Sequence, residues 1–306
     1  MIASILVSAS TPATRAQRGT GGRVRGAASA VPPPELLMIS IVSIQLGAAV
    51  AVHLFPTLGP IGTVFLRIAF SAVLVLVAAR CQIGSDARRH VRLLVLFGCV
   101  IGAMNMCFYG AIARIPLGVA VAIEFIGPLG VAAFTSRRPT EFVWIGLAGV
   151  GLVLLTPGIG TALGTALDPI GVGLALAAGA GWASFVLISP RVGRAVGRAG
   201  LALAMPVACL FILPFELAAG GLARLDLGLL AGGLAVAILS TALPLSLEFE
   251  ALRRMSARAY SVTVTLEPVV AALVGAIALG QTLPPVAPLA IGCVTGAALG
   301  VTLAER

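Results

Sequence analysis

Two glutamates, each closely followed by a proline, lie inside long apolar stretches, in Ala122-Ile-Glu-Phe-Ile-Gly-Pro128 and in Thr265-Leu-Glu-Pro268. A carboxylate at membrane depth is costly and is retained mainly on ion or substrate pathways. Pro128 and Pro268 each remove a helical hydrogen-bond donor, which predicts a helix break that exposes backbone. Glu124 and Glu267 are therefore candidates for a site that binds a proton or an amine. The competing interpretation is a neutral carboxyl group that only packs between helices.

The other polar residues of the apolar stretches suggest how a small solute would be bound. Arg67 either binds a substrate carboxylate, serves as the counter-ion of a glutamate, or reaches towards the nearer membrane surface. With Glu124 it forms the only pair of opposite charges that we place in the same half of the membrane, which suits the two charges of an α-amino acid. Further candidates for substrate contact are Gln45, Asn105, Tyr109, Trp182, Ser240 and Thr241.

Packing competes with binding at most of these positions. Interhelical hydrogen bonds explain most buried hydroxyl groups in membranes without any substrate. Trp182 fits a packing role as well as a lid over a ligand. Three further carboxylates lie close to the ends of apolar stretches, where we expect them at the membrane surface: Glu216, Glu248 and Glu250.

Composition requires a membrane around these residues. The chain is 59% hydrophobic and 10% charged, whereas soluble domains carry about 25% charged residues. Apolar runs of about 20 residues, the length that crosses a hydrocarbon core, recur along it. The sequence predicts an all-α integral membrane protein with ten transmembrane helices, at 36–55, 61–79, 93–113, 117–135, 142–156, 169–189, 200–219, 228–247, 259–279 and 285–303.

The arginines predict the orientation of these helices. All 20 basic residues are arginine; with ten spans, 17 of them fall on one side, two (Arg114 and Arg224) on the other, and Arg67 within a span. Positive residues accumulate on the cytoplasmic side. Both termini are therefore predicted to be cytoplasmic. The net charge of +9 is explained by topology and does not indicate nucleic-acid binding.

A weak internal repeat divides the chain. An offset of 140 residues aligns 95–128 with 235–268 and superposes Pro128 on Pro268. Two halves of five spans must enter the membrane in opposite directions, as in many secondary transporters. We predict repeats at 35–160 and 168–304, preceded by a disordered cytoplasmic tail at 1–34 that is rich in Arg, Gly, Ser and Ala. Whether this tail is functional or an over-long gene start stays open.

The chain carries no motif of a soluble enzyme. A Walker A loop and a His-Glu-x-x-His zinc motif are both missing, and neither the five cysteines nor the two histidines have metal-ligand spacing. We therefore predict no enzyme activity, no cofactor and no metal site. The abundant glycines suit close helix packing but identify no oligomer interface, so an oligomer is possible.

Three segments carry a family resemblance. Pro116-Leu-Gly-Val-Ala-Val-Ala-Ile-Glu-Phe-Ile-Gly-Pro128, Ser136-Arg-Arg-Pro139 and the run from Leu234 to Pro244 with Ser246-Leu-Glu248 resemble the bacterial threonine/homoserine exporter branch of the drug/metabolite transporter superfamily. The resemblance covers about residues 36 to 304.

This resemblance implies two EamA-type inverted halves and an inner-membrane, proton-coupled exporter of small amino acids. Its expected partners are the amino acid, the proton and membrane lipid. The branch's motif falls on Glu124 and Pro128, and the match in the second half falls on Glu267 and Pro268. The alternatives are a general drug or metabolite exporter of the same superfamily and a non-transporting membrane scaffold, because fold does not fix substrate.

Overall fold

The computed structural model describes residues 31–51, 54–79, 85–115, 117–136, 139–155, 168–197, 199–267, 269–270 and 286–304. Across these ranges all regular structure is helical, which agrees with the predicted all-α class. Several positions discussed above lie outside the described residues: most of the N-terminal tail, Pro268, and part of the arginines used for the topology, among them Arg80, Arg137, Arg138 and Arg198.

The helices of the first part of the chain are α1 Pro33–Ala51, α2 Phe55–Ala79, α3 Ser85–Arg89, α4 Val91–Ile112, α5 Leu117–Glu124, α6 Ile126–Thr135 and α7 Pro139–Leu155. Those of the second part are α8 Pro169–Val196, α9 Ala199–Ala219, α10 Leu227–Ala237, α11 Leu243–Leu252, α12 Ala257–Thr263 and α13 Ala287–Ala304. The 3-10 turn Gly221–Arg224 lies between α9 and α10, the π-helical turn Ile238–Ala242 joins α10 to α11, and the 3-10 turn Val264–Leu266 follows α12.

Local sequence accounts for several helix ends. Asp226 caps α10 by accepting a hydrogen bond from the Leu229 N–H at 2.7 Å, and Ser256 caps α12 through the Ala259 N–H at 3.0 Å. Both satisfy a backbone donor that has no partner within its helix. Helix α9 ends where Gly220 adopts a φ of 70°, a left-handed conformation that glycine adopts without strain.

The two compact units of the chain are described separately. Unit 1 comprises Met1–Gly102 and Ile188–Arg254. In it α2 packs against α9 and α10, while α1 packs against α11 and the π-helical turn. Gly98 allows α4 to approach α9 closely, because a Cβ there would lie 2.5 Å from the Ala204 carbonyl oxygen.

Unit 2 comprises Ala103–Leu187 and Met255–Arg306. Helix α13 packs along α7, and α12 packs along α6. One of its cores consists mainly of alanines, which let helices approach closely in a membrane protein: Ala132, Ala148, Ala259, Val262 and Ala297. Each unit contains segments of both predicted repeats, so the two-repeat division stays a prediction.

Within the part of the chain that the structure describes, five helices are long and apolar enough to cross a membrane: Pro56–Ala78, Val91–Ile112, Pro169–Val196, Ala199–Ala219 and Leu227–Leu252. Large apolar side chains also point away from the protein core. Phe134 is 93% exposed and Leu227 is 83% exposed. Lipid provides a favourable surrounding for such side chains, whereas water does not.

Candidate functional site

The motif around Glu124 forms a break between two helices of unit 2. Helix α5 ends at Glu124 and α6 begins at Ile126, with the buried Phe125 between them. Pro128 is the third residue of α6, where a missing backbone N–H costs little because the first turn has no intrahelical partner. The break therefore lies one residue after Glu124 and three residues before Pro128.

Two glycines bring this break against α8. A Cβ placed on Gly179 would lie 2.6 Å from the Glu124 carbonyl oxygen, and one placed on Gly127 would overlap the Gly179 carbonyl group. Side chains at either position would separate the two backbones. The carboxyl group of Glu124 is itself buried, with 8% of the residue exposed. The packing thus holds a buried carboxyl group at a helix break.

A series of aromatic contacts connects the break with helix α12 of the same unit. The rings of Phe125 and Trp182 meet edge to face with centroids 5.0 Å apart. The Trp182 Nε1–H donates to the hydroxyl group of Tyr260 at 3.5 Å. Tyr260 is fully buried on α12. Sequence reasoning missed this residue, although the rarity of tyrosine, two in the whole chain, was an available signal.

The remaining predicted residues of unit 2 lie on α4 and near the end of α12. Asn105 and Tyr109 are buried one turn apart on α4. Glu267 is half-buried and directly follows the 3-10 turn Val264–Leu266. Two buried hydroxyl groups on α12, those of Ser261 and Thr263, have no hydrogen-bond partner among the described residues. They add polar groups to the helix that leads to Glu267.

In unit 1 the polar candidates gather at the π-helical turn. The hydroxyl group of Ser43 on α1 donates to the Leu239 carbonyl at 2.7 Å, and that of Ser71 on α2 donates to the Ala237 carbonyl at 3.0 Å. The hydroxyl oxygens of Ser240 and Thr241 are buried and find no hydrogen-bond partner in the described part of the chain. Single π-helical turns are frequent at functional sites.

Gln45 and Arg67 belong to the same unit and are both half-buried. Gln45 lies two residues before Gly47, where α1 crosses so close to Ser240 that a Cβ would overlap its hydroxyl group. Arg67 precedes Ser71 by four residues on α2, and residues with this spacing share one helix face. Arg67 therefore lies on the face of α2 that contacts α10 and the π-helical turn.

The structure buries Glu216, Glu248 and Glu250 within the protein, and their position at the membrane surface stays a prediction. Ser40 donates to Glu248 Oε1 at 2.8 Å, and Arg253 pairs with Glu250 at 2.8 Å. Glu216 accepts a backbone hydrogen bond from Leu222. Position along a span was visible in the sequence, but the protein partners that cover each carboxyl group were not.

Two ion pairs of unit 2 are structural. Arg258 binds Glu141 at 2.6 Å and joins α12 to the start of α7. Arg114 binds the half-buried Asp168 at 3.0 Å just before α8. The side-chain hydrogen bond from Arg114, together with the Ile170 N–H, lowers the pKa of Asp168. Within the described residues no three His, Cys, Asp or Glu side chains are grouped to hold a metal ion.

Comparison with known proteins shows to which family this chain belongs. Residues 169–303 match the EamA-like transporter family. The chain is 41% identical over 274 residues to the threonine/homoserine exporter RhtA of Escherichia coli strain K12, an alignment that covers 90% of this chain and 92% of RhtA. The chain belongs to the RhtA family. RhtA of Salmonella typhimurium strain LT2 is 40% identical over the same coverage.

Membership of the RhtA family confirms the resemblance drawn from the sequence motifs. A solved protein crystal structure, 18% identical to this chain, superposes with a TM-score of 0.71 and covers 88% of this chain and 97% of that protein. This likeness shows the fold alone. Together with its long apolar helices, the family makes this chain a multi-pass membrane protein.

Proposed function

We propose that this chain exports small amino acids of the threonine and homoserine type across the bacterial inner membrane. The observation that carries the proposal is the 41% identity to an exporter of threonine and homoserine along nearly the whole of both chains. Its relatives are transporters, so the chain is a transport protein and not an enzyme. Small amino acids are its expected substrates and membrane lipid its solvent.

The architecture that we propose is ten transmembrane helices in two inverted repeats, 35–160 and 168–304, with both termini in the cytoplasm. The 17-to-2 distribution of arginines supports it. A phosphatase fused to the C terminus should be inactive, because the enzyme is active only in the periplasm. An active fusion would overturn both the orientation and the inverted repeat.

Glu124 is the residue that we propose for proton coupling, with Glu267 in a lesser role. The burial of Glu124, its place at a helix break and the close approach of the Gly179 backbone support this assignment. A buried carboxyl group at a helix break can exchange a proton when the surrounding helices move. That the coupling ion is a proton is part of the proposal.

We assign substrate recognition to unit 1. Arg67 suits the substrate carboxylate, because a guanidinium group binds a carboxylate through two parallel hydrogen bonds. Ser240 and Thr241 suit a short hydroxylated side chain, since their buried hydroxyl groups lack partners in the described structure. A site with such unpaired polar groups discriminates against an apolar analogue. Gln45 is a further candidate for polar contact in this unit, and Asn105, in unit 2, is a separate candidate.

Counterflow in proteoliposomes tests the proposed function. Vesicles loaded with unlabelled threonine should accumulate external labelled threonine and homoserine, whereas protein-free vesicles should not. A general drug or metabolite exporter would also accept structurally unrelated solutes, and a membrane scaffold would give no counterflow. Either result would contradict selective amino-acid export.

The same assay tests the role of Arg67. Arg67→Gln should raise the half-saturating concentration of threonine about tenfold or more, the effect of losing a hydrogen bond between charged groups. The uncharged threonine amide should be affected little. The exposed Arg92→Gln is the matched control and should resemble wild type for both. Equal losses for acid and amide would show that Arg67 is a structural counter-ion instead.

A further inference from the structure

Glu216 is a buried glutamate that the proposed mechanism does not use. Glu216 lies in the last turn of α9 and is completely buried. Its Oε1 accepts the Leu222 N–H at 2.8 Å, which ties α9 to the 3-10 turn Gly221–Arg224. Its Oε2 is buried as well and has no hydrogen-bond partner in the described ranges. A carboxylate oxygen without a donor is costly, so this atom requires an explanation.

Glycines and a helix start surround the carboxyl group. A Cβ on Gly221 would lie 2.7 Å from Oε1, and one on Gly62 would lie 3.5 Å from Oε2. Gly62 belongs to the first turn of the helical segment that follows the kink of α2. At that kink Gly59 has a φ of 69° and Pro60 comes next. Oε2 therefore lies beside a helix N-terminus.

Opposing influences act on the charge of Glu216. The Leu222 N–H and the partial positive charge of the helix start on α2 stabilise the anion. Complete burial, the unpaired Oε2 and the negative C-terminal end of α9 favour the neutral acid. The carboxyl group therefore has a backbone donor on Oε1 and none among the described residues on Oε2.

The nearby ionisable side chains are engaged elsewhere or lie farther along their helices. Arg224 donates to the Thr57 carbonyl at 3.4 Å, and Asp226 caps α10. On α2, Arg67 lies five residues beyond Gly62, about 7.5 Å along the axis and about 140° around it. On α4, which packs against α9 through Gly98, the charged residue is Arg92, in the first turn, and the other titratable groups are Cys99, Cys107 and Tyr109. Helix α9 itself carries Cys209, seven residues before Glu216.

We propose that Glu216 is a second proton-binding site, independent of Glu124. The carboxylate gains one proton on Oε2 and becomes a neutral acid, while Oε1 keeps its bond to the Leu222 N–H. That bond then changes from charge-assisted to neutral, which is weaker. Proton binding therefore loosens the attachment of the turn Gly221–Arg224 to α9. The effect of this site on transport rests on the proposed export function.

Infrared difference spectra of reconstituted protein test the proton site without relying on transport. A pH step in wild type should change the carbonyl-stretch band of a buried carboxylic acid. Glu216→Gln should lose this band, because the amide keeps the Leu222 contact but does not titrate. Glu216→Asp should shift the band, and Glu124→Gln should retain it. Identical bands in wild type and Glu216→Gln overturn the proposal.

Export measurements connect the site to function. Glu216→Gln should flatten the dependence of threonine export on external pH, and Glu35→Gln, at an exposed glutamate of α1, should leave it unchanged. A wild-type pH profile in Glu216→Gln overturns the connection between this proton and transport. Absence of export by wild type, with the infrared band intact, would contradict the proposed function and leave the proton site standing.

Discussion

Glu124→Gln should fold and bind threonine but lose export driven by a pH gradient. The amide matches the size of the carboxyl group and can stay in the same buried place beside the break, yet it cannot take up or release a proton at physiological pH. With Glu124 as the coupling residue, proton flow and substrate flow then separate. In proteoliposomes with an imposed pH gradient, the rate should fall to that of protein-free vesicles.

Counterflow provides the control for this variant, because exchange of threonine for threonine requires no net proton movement. Glu124→Gln should retain it, which would show that the protein is inserted and binds substrate. Glu267→Gln should show a smaller defect under the same gradient, since its side chain is only half-buried. A wild-type rate of gradient-driven export in Glu124→Gln would remove Glu124 from the coupling mechanism.

Hydropathy predicted helix positions well where a span is one uninterrupted helix. The predicted interval 200–219 agrees with α9, Ala199–Ala219, to within one residue. The interval 228–247, predicted as one span, lies within the continuous helical segment Leu227–Leu252, but a π-helical turn, which the sequence did not predict, changes the hydrogen bonding between α10 and α11. Hydropathy shows where a span begins and ends. It carries little information about such local changes of hydrogen bonding within the helix.

Partners distant in sequence were beyond prediction from one chain. Ser40 and Glu248 are 208 positions apart, so no spacing rule could show that the hydroxyl group covers the carboxyl group. Tyr260 was missed for the same reason, because its contact with Trp182 depends on how α12 and α8 pack. The motif around Glu124 did predict a break, since a proline in an apolar helix has a local effect. Only packing showed that Phe125 occupies it.

Gly127→Ala should lower the stability of unit 2, because its Cβ would overlap the Gly179 carbonyl group. Overpacking of this kind costs about 1–3 kcal/mol, and here the obstacle is backbone, which cannot rotate away as a side chain can. The thermal unfolding midpoint in detergent should therefore fall, and gradient-driven export should fall with it as the break moves off α8. Gly179→Ala should act in the same direction through the Glu124 carbonyl.

Gly130→Ala is the matched control on the same helix, since a Cβ there meets no atom within 4 Å. Alanine is favoured over glycine inside a helix by up to about 1 kcal/mol, so this variant should unfold at the same temperature as wild type or at a higher one. The two substitutions are chemically identical and three residues apart, so their difference isolates the contact with α8. Equal midpoints for both variants would mean that α6 and α8 do not touch at Gly179, and the buried setting of Glu124 would then have lost its structural basis.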